Sequence, residues 1–370
     1  MRAATLLLLS AITMTATAQT KVSSAPFGKL PSGEAVTEYT LSNPQLTVKL
    51  ITFGARVTSI LAPDKTGKSG EVVLGYDSLD SYLADTKTYF GAIVGRYGNR
   101  IAKGTFTLDG KQYHLPINNA PNTLHGGTTG FDRANWTARE LPGGVEFTLV
   151  SHDGDQGFPG TLTVHVTYTL AGEALHIAYS ATTDKDTVLN LTNHTYFNLS
   201  GSGDILHDSL TINAARYTPV DSGLIPTGQL APVAGTPFDF QTPHVIGQRI
   251  DSANEQLKLA GGYDHNFVLN GPSGAIPHQA AKVTDPNSGR ILTVRTTEPG
   301  VQFYAGNFLD GSFRGHGGML YARRTGFCLE TQHFPDSPNH PSFPTTELKP
   351  GQTFHSNTTF LFSTDKVLHN

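Results

Sequence analysis

The sequence predicts an all-β protein, a large antiparallel β-sandwich, on three observations. Apolar and polar residues alternate with period two through most of the chain. Turn residues interrupt that alternation about every ten residues, and helical periodicity is scarce.

The clearest strand runs through Leu162, Val164, Val166, Tyr168 and Leu170, alternating with Thr161, Thr163, His165, Thr167 and Thr169. One face of such a strand is buried and the other wetted. After Ala171-Gly172 the pattern resumes at Leu175, Ile177 and Tyr179, which makes a hairpin. A second hairpin joins Thr105–Leu108 to Lys111–Leu115 through Asp109-Gly110, because Asp-Gly supplies the two positive φ angles of a type I′ turn. Shorter runs at Leu46–Ile51, Val57–Leu61, Val145–Val150, Leu210–Ile212, Ile291–Arg295 and Thr358–Phe362 read as further strands. Only Ser78–Asp85 and His244–Asp251 read as short helices.

The first 18 residues read as a secretory signal. Arg2 gives a positive start, Ala3–Ala11 an apolar stretch centred on Leu6–Leu9, and Ala16-Thr17-Ala18 a small-residue cleavage site. The expected mature start is Gln19, and the implied location is exported, periplasmic or secreted. Residues 19–33 are polar and expected to be poorly ordered, and 34–370 show no composition break, so a single domain is expected there. Cys328 is the only cysteine, so an exported chain of this kind relies on its core rather than on a disulfide. With 26 basic against 30 acidic residues and a net charge of −4, no nucleic-acid surface is expected, and no polybasic or amphipathic membrane segment stands out. No long exposed apolar stripe is evident, so a monomer is expected. The N-x-S/T tripeptides at Asn190 and Asn193 fall in an apolar strand-like stretch and read as coincidence rather than glycosylation sites.

On a sandwich, a binding site shows as polar side chains punctuating otherwise clean strands. Stretches of this kind begin at Gly95 (G-R-Y-G-N-R), Asn122 (N-T-L-H-G-G), Asn190 (N-L-T-N-H-T-Y-F-N-L), Gly262 (G-Y-D-H-N-F), Pro299 (P-G-V-Q-F-Y) and Leu329 (L-E-T-Q-H-F-P-D-S-P-N). Each mixes aromatic residues with hydrogen-bonding side chains. That mixture suits a sugar, whose C–H patches pack on aromatic faces while its hydroxyls need directed partners. Singly, each stretch has a plainer reading. His194 fits a satisfied core histidine, Glu330 a structural ion pair with Arg323 or Arg324, Asp264 a loop-shaping residue beside Gly261-Gly262, and Asn99-Arg100 a turn with a surface charge.

Taken together and in order, with the D-G-D-Q-G-F-P-G loop at Asp153–Gly160, these stretches resemble the aldose 1-epimerase (galactose mutarotase) family over nearly all of the chain after the signal. The resemblance implies the galactose mutarotase-like supersandwich with a site on its concave sheet, and neither metal nor organic cofactor. It implies a small-molecule sugar as partner. It assigns the general acid to His194 and the general base to Glu330, with sugar contacts on Asn99, Arg100, His125, Thr195, Tyr196, Asp264 and Gln302. Gly98 stands where alanine is common in the family, a difference that bears on packing.

The chemistry so implied interconverts the anomers of a free aldohexose such as glucose or galactose. One group takes the proton of the C1 hydroxyl while another protonates O5, and reclosure on the other face of the aldehyde reverses both steps. In the starting state Glu330 is expected ionised and His194 protonated, with Asp264 as the acidic neighbour supporting His194.

Three rivals are weighed against this. A metal centre would draw on His125, His194, His265, His333, Glu330 and Asp264, but no H-x-H or H-E-x-x-H spacing is present. A non-catalytic sugar-binding sandwich does not need a matched acid and base. A sugar-phosphate enzyme calls for clustered cations, and only Arg100 is placed among the site stretches.

Overall fold

The computed structural model of the chain describes residues 19–271 and 274–365; the expected signal lies outside them. Three antiparallel sheets carry most of the structure. The largest is nine-stranded, with neighbouring strands in the order Thr137–Leu141, Gly144–Ser151, Leu162–Ala171, Ala174–Thr183, Phe354–Thr364, Arg290–Thr296, His278–Thr284, Ser209–Ile212 and His244–Val245. A six-stranded sheet runs Tyr196–Phe197, Phe327–Gln332, Gly300–Tyr304, Asp264–Leu269, Ala214–Tyr217 and Ala231–Pro232. A five-stranded sheet covers Lys21–Lys29 through Ser69–Glu71 in chain order.

One apolar cluster joins the three sheets. It takes Val164, Val166 and Tyr168 from the nine-stranded sheet, Val301, Phe303 and Leu329 from the six-stranded sheet, and Val48, Leu50 and Val57 from the five-stranded sheet. This is the expected sandwich, with alternation deciding which residues face inward. In Leu162–Ala171 every second side chain is buried and the threonines between are half-exposed. The hairpin turns also form as read: Asp109 and Gly110 have φ of 50° and 76° between paired strands.

Three local expectations change. Residues 19–33 contain a strand, Lys21–Lys29, paired along its length with Ala35–Ser42. Its side chains are mostly exposed, so the sequence shows little periodicity; the order comes from backbone hydrogen bonds and from Val22 and Phe27 packing on the core clusters. His244–Asp251 is not an α-helix but a two-residue edge strand followed by a 3₁₀ turn at Ile246–Gln248. Gly247 and the β-branched pair Val245-Ile246 disfavour a helix, and Ser209–Leu210 offers an edge to pair with. A helix at Glu255–Ala260 adds to the expected elements, and its ends are marked in the sequence: Asn254 caps the Gln256 and Leu257 amides, and Gly261 closes it at φ 67°. Ser78–Asp85 holds the expected helix, Leu79–Ala84, with Ser78 as its N-cap.

Asn190 and Asn193 are buried, and their side-chain amides donate to the Gly98 and Gly91 carbonyls respectively. A glycan has no room at either.

Candidate active site

Alternation along the six-stranded sheet sends Val301, Phe303, Phe327 and Leu329 into the inter-sheet core. The residues between them therefore face the other way. Register aligns these into two cross-strand rows: Asp264, Tyr304, Cys328 and Tyr196 in one, Asn266, Gln302 and Glu330 in the next. A strand pair of period two has placed a polar floor beneath whatever lies over that face.

His194 hangs over this floor. The short strand Thr192–Asn193 pairs with Ile93–Val94, and the pairing continues irregularly past it: the His194 N–H donates to the Ala92 carbonyl and the Gly91 N–H donates to the His194 carbonyl. Gly91 has φ of 65°, and a Cβ there would meet the Val57 carbonyl oxygen at 1.8 Å, so only glycine lets this backbone approach. Asn99 and Arg100 arrive on a separate ladder, where Arg100–Ile101 pairs with Thr123–Leu124. Asn99 (φ 61°) and His125 (φ 51°) are both left-handed and lock one another: the His125 N–H donates to the Asn99 carbonyl, and the Asn99 N–H donates to His125 Nδ1.

The elements converge on one contact. His194 Nε2 lies 3.6 Å from Glu330 Oε2, and that oxygen has no hydrogen-bond partner among the described residues. Both residues are buried, with 4% and 2% of their surface exposed. Burial holds the His194 imidazole down at about 4. Burial also pushes Glu330 well above the carboxylate range; the nearby Asp264 charge adds to the rise and Arg100 opposes it. Asp264, expected beside His194, thus acts on Glu330 instead, because it occupies the same sheet. Gln302 Nε2 donates to Asp264 Oδ1 at 2.7 Å and so fixes that carboxylate. Asn119 Oδ1 accepts from Arg100 Nε at 3.2 Å and steadies the guanidinium.

Around the pair is a cavity of about 160 Å³, on the order of ten times the room one buried water needs. Asn99, Arg100, His125, His194, Tyr196, Asp264 and Glu330 wall it, together with Tyr89, Tyr304 and Phe308. Size and lining suit a small polyhydroxylated molecule, with aromatic faces beside directed polar groups.

Comparison with known proteins identifies the class of molecule this site belongs to. Residues 37–361 match the family described as aldose 1-epimerase. The galactose mutarotase of Rattus norvegicus is 50% identical over 340 residues, which cover 91% of this chain and 97% of that protein. The aldose 1-epimerase of Escherichia coli strain K12 is 40% identical over 338 residues, covering 90% and 96%. The chain belongs to the aldose 1-epimerase family. The crystal structure of a galactose 1-epimerase from Lactobacillus acidophilus superposes with a TM-score of 0.81 at 30% identity, over 93% of this chain and 99% of that one. The protein is a mutarotase, an isomerase that interconverts sugar anomers, on the galactose mutarotase-like β-sandwich.

In this epimerase His125, His194 and Glu330 also bring ligand-type atoms within 4.8 Å of one another. The His125 tautomer opposes a metal there. Its Nδ1 accepts the Asn99 N–H, so the ring proton sits on Nε2 and neither nitrogen has a free lone pair. Metal-binding imidazoles show the reverse arrangement, donating their second N–H. Of the other histidines weighed as ligands, His265 lies on the opposite face of its strand against Phe238 and Tyr217, and His333 pairs with Glu298.

Two residues that the resemblance linked to sugar stand behind the cavity wall. Thr195 gives its hydroxyl to Asn193 Oδ1 at 2.6 Å, and Gln302 holds Asp264. The structural ion pair weighed for Glu330 does not form: Arg324 pairs with Asp251, and Arg323 donates to the Gly261 carbonyl. Arg96, at the head of the same stretch as Asn99, points elsewhere. It donates to the carbonyls of Ser151, His152, Pro159 and Gly160, so it ties down the Asp153–Gly160 loop.

Other wall residues carry little signal in the sequence. Tyr89 lies outside every motif, and its one local signal is the aromatic pair Tyr89-Phe90 before Gly91. Phe308, 60% exposed, stacks on Tyr304 at a centroid distance of 5.8 Å. Cys328, read only as a lone thiol, places Sγ 3.5 Å from His194 Nδ1.

Proposed function

We propose that mutarotation runs through His194 and Glu330 on free aldohexoses such as D-glucose and D-galactose. The single observation that carries this is the buried, otherwise unpartnered contact between His194 Nε2 and Glu330 Oε2 on the cavity wall. Glu330 acts as general base on the C1 hydroxyl and His194 as general acid on the ring oxygen, exchanging roles on reclosure.

The working pair holds one proton. Burial alone favours the uncharged acid and imidazole, and attraction across 3.6 Å favours carboxylate and imidazolium. These forms differ by one proton transfer, so a sugar entering between the two groups meets one proton donor and one acceptor. Arg100, Asn99, His125 and Asp264 line the remaining wall and are assigned to the sugar hydroxyls, while Gln302 and Thr195 act through the residues they hold. The galactose named for the rat relative supports a hexose as substrate. No metal or organic cofactor enters this scheme, in keeping with the His125 tautomer.

We place the enzyme outside the cytoplasm, in the periplasm or secreted, on the composition of residues 1–18. It acts as a monomer, without membrane or nucleic-acid partner. Cell fractionation with N-terminal sequencing of the mature chain tests the location, and light scattering tests the monomer.

The deciding experiment is polarimetry on freshly dissolved α-D-glucose and α-D-galactose with purified protein in excess EDTA. Relaxation well above the buffer rate is expected for at least one of them. A rate equal to buffer for every free aldose would strip His194 and Glu330 of their acid and base roles.

A further inference from the structure

Tyr89 is a residue of the cavity wall that no motif accounts for. Its backbone is left-handed at φ 56°, a costly conformation for an aromatic residue and one that clusters at functional sites. The surrounding chain enforces it: the Tyr89 carbonyl accepts the Ala92 N–H, and Arg56 Nη1 donates to the next carbonyl, that of Phe90.

The conformation throws the ring against both active-site imidazoles. Its centroid is 4.6 Å from that of His125, at 60°, and 5.7 Å from that of His194, at 31°. The two imidazoles meet edge-on at 5.1 Å. Three rings therefore lie against one another pairwise, and each limits the positions open to the others. Tyr196 lies against His194 as well, at 5.1 Å. Aromatic faces also attract the imidazolium that the acid step requires.

The phenol oxygen plays a separate part. Tyr89 lines the cavity, yet its hydroxyl makes no hydrogen bond among the described residues. Tyr89 is half-buried, so its hydroxyl opens on the cavity, where a bound sugar hydroxyl can take the place of water. Burial keeps the phenol protonated far above neutral pH, so the group remains a donor under working conditions.

We propose that Tyr89 is a further substrate-contacting and positioning residue of this mutarotase: its hydroxyl receives a sugar hydroxyl, and its ring braces His125 and His194. The bracing half rests on the assignment of His194 as acid; the binding half does not. The groups facing His194, and so able to shape any pH profile, are Glu330, Cys328, His125, Tyr196 and Tyr89, with the Arg56 charge farther off.

Two variants separate the halves. Tyr89→Phe keeps the ring and loses the hydroxyl. It should raise KM, and the Kd for 1-deoxy-D-galactose (a sugar without an anomeric hydroxyl, bound without turnover), by roughly three- to tenfold, the size of one net hydrogen bond. Tyr89→Leu removes the ring as well. It should lower kcat by about tenfold or more and displace the pH profile of kcat, and Phe at the position should rescue both. Unchanged KM and Kd in Tyr89→Phe overturn the hydroxyl contact. Wild-type kcat and pH profile in Tyr89→Leu overturn the bracing. If His194→Ala retains activity, the acid assignment fails instead, and the Kd measurement on Tyr89→Phe still decides the contact.

Discussion

His194 Nε2 and Glu330 Oε2 stand 3.6 Å apart although they are far apart in sequence, with Glu330 on a strand of the six-stranded sheet and His194 on the link that leads from Thr192–Asn193 into that sheet at Tyr196–Phe197. Burial raises Glu330 and lowers His194 while attraction across the contact opposes both shifts, and the proton between them is the one that the proposed acid and base exchange. Replacing Glu330 by Gln or His194 by Ala removes one side of that exchange. Each substitution should lower kcat by about 10²- to 10⁴-fold, as expected for a positioned acid or base. Circular dichroism and the urea midpoint should show both variants folded. A folded variant with kcat within threefold of the parent would displace its residue from the mechanism.

The same tuning gives a pH profile with a worked sign. Below about 4 the His194 imidazole keeps a proton while Glu330 is also protonated, and no base remains. Above the raised Glu330 value the pair has lost its shared proton, and no acid remains. kcat/KM should therefore be bell-shaped, its two limbs belonging to the pair rather than to either residue. Asp264 pushes Glu330 up and Arg100 pulls it down. Asp264→Asn should move the alkaline limb to lower pH, and Arg100→Gln should move it to higher pH. Weaker sugar binding in either variant scales the whole curve without moving its limbs. An alkaline limb that stays in place in both variants would show that neither charge reaches Glu330.

Arg96 offers a test of what the remaining stretches do. Its guanidinium is buried and donates to Pro159 O at 2.7 Å, Gly160 O at 2.9 Å, Ser151 Oγ at 2.7 Å and Thr187 Oγ1 at 3.2 Å. Burial lowers it to about 10, and the carbonyl cage holds it in place. Lysine has neither the planar fork nor enough donors for that cage. Arg96→Lys should cost about 3 kcal/mol of stability, read from urea unfolding. A loss below about 0.5 kcal/mol would mean that the loop is held by other contacts.

Much of this architecture was legible because one face of each strand is wet. Leu162–Ala171 and its neighbours write their burial directly into the residue alternation. The signal fails where order does not depend on side chains. Lys21–Lys29 is held by its ladder to Ala35–Ser42, and such backbone pairing leaves no pattern to read. His244–Asp251 misled because scattered apolar residues mimic a short helix, while an available sheet edge decided the outcome. At the site, motif residues such as His194, Glu330, Arg100 and Asp264 do converge on one cavity. The direction of the Asp264 effect was not legible, since it depends on cross-strand register that puts Asp264 and Glu330 on one floor. Arg96 and Asn99 sit three residues apart and point to different places, which no motif spacing reveals.

A second acid–base pair, away from the cavity, should govern stability rather than turnover. His333 Nδ1 and Glu298 Oε2 are 2.6 Å apart, with Glu298 buried and His333 about one-fifth exposed. Burial works against a charged His333, but the Glu298 charge and hydrogen bond outweigh it and raise the imidazole above its ordinary value. A group whose folded value is raised stabilises the fold fully below its unfolded value, about 6.5 for histidine. That contribution fades as pH climbs through the raised folded value. Urea unfolding should accordingly show stability falling from pH 6 toward pH 9 by an amount that Glu298→Gln abolishes. The variant itself should lose about 1–3 kcal/mol at pH 6, from the buried charge-assisted hydrogen bond. Equal pH dependence in parent and variant would mean that His333 titrates alike in the folded and unfolded chains, and that the pair sets position without linking protonation to folding.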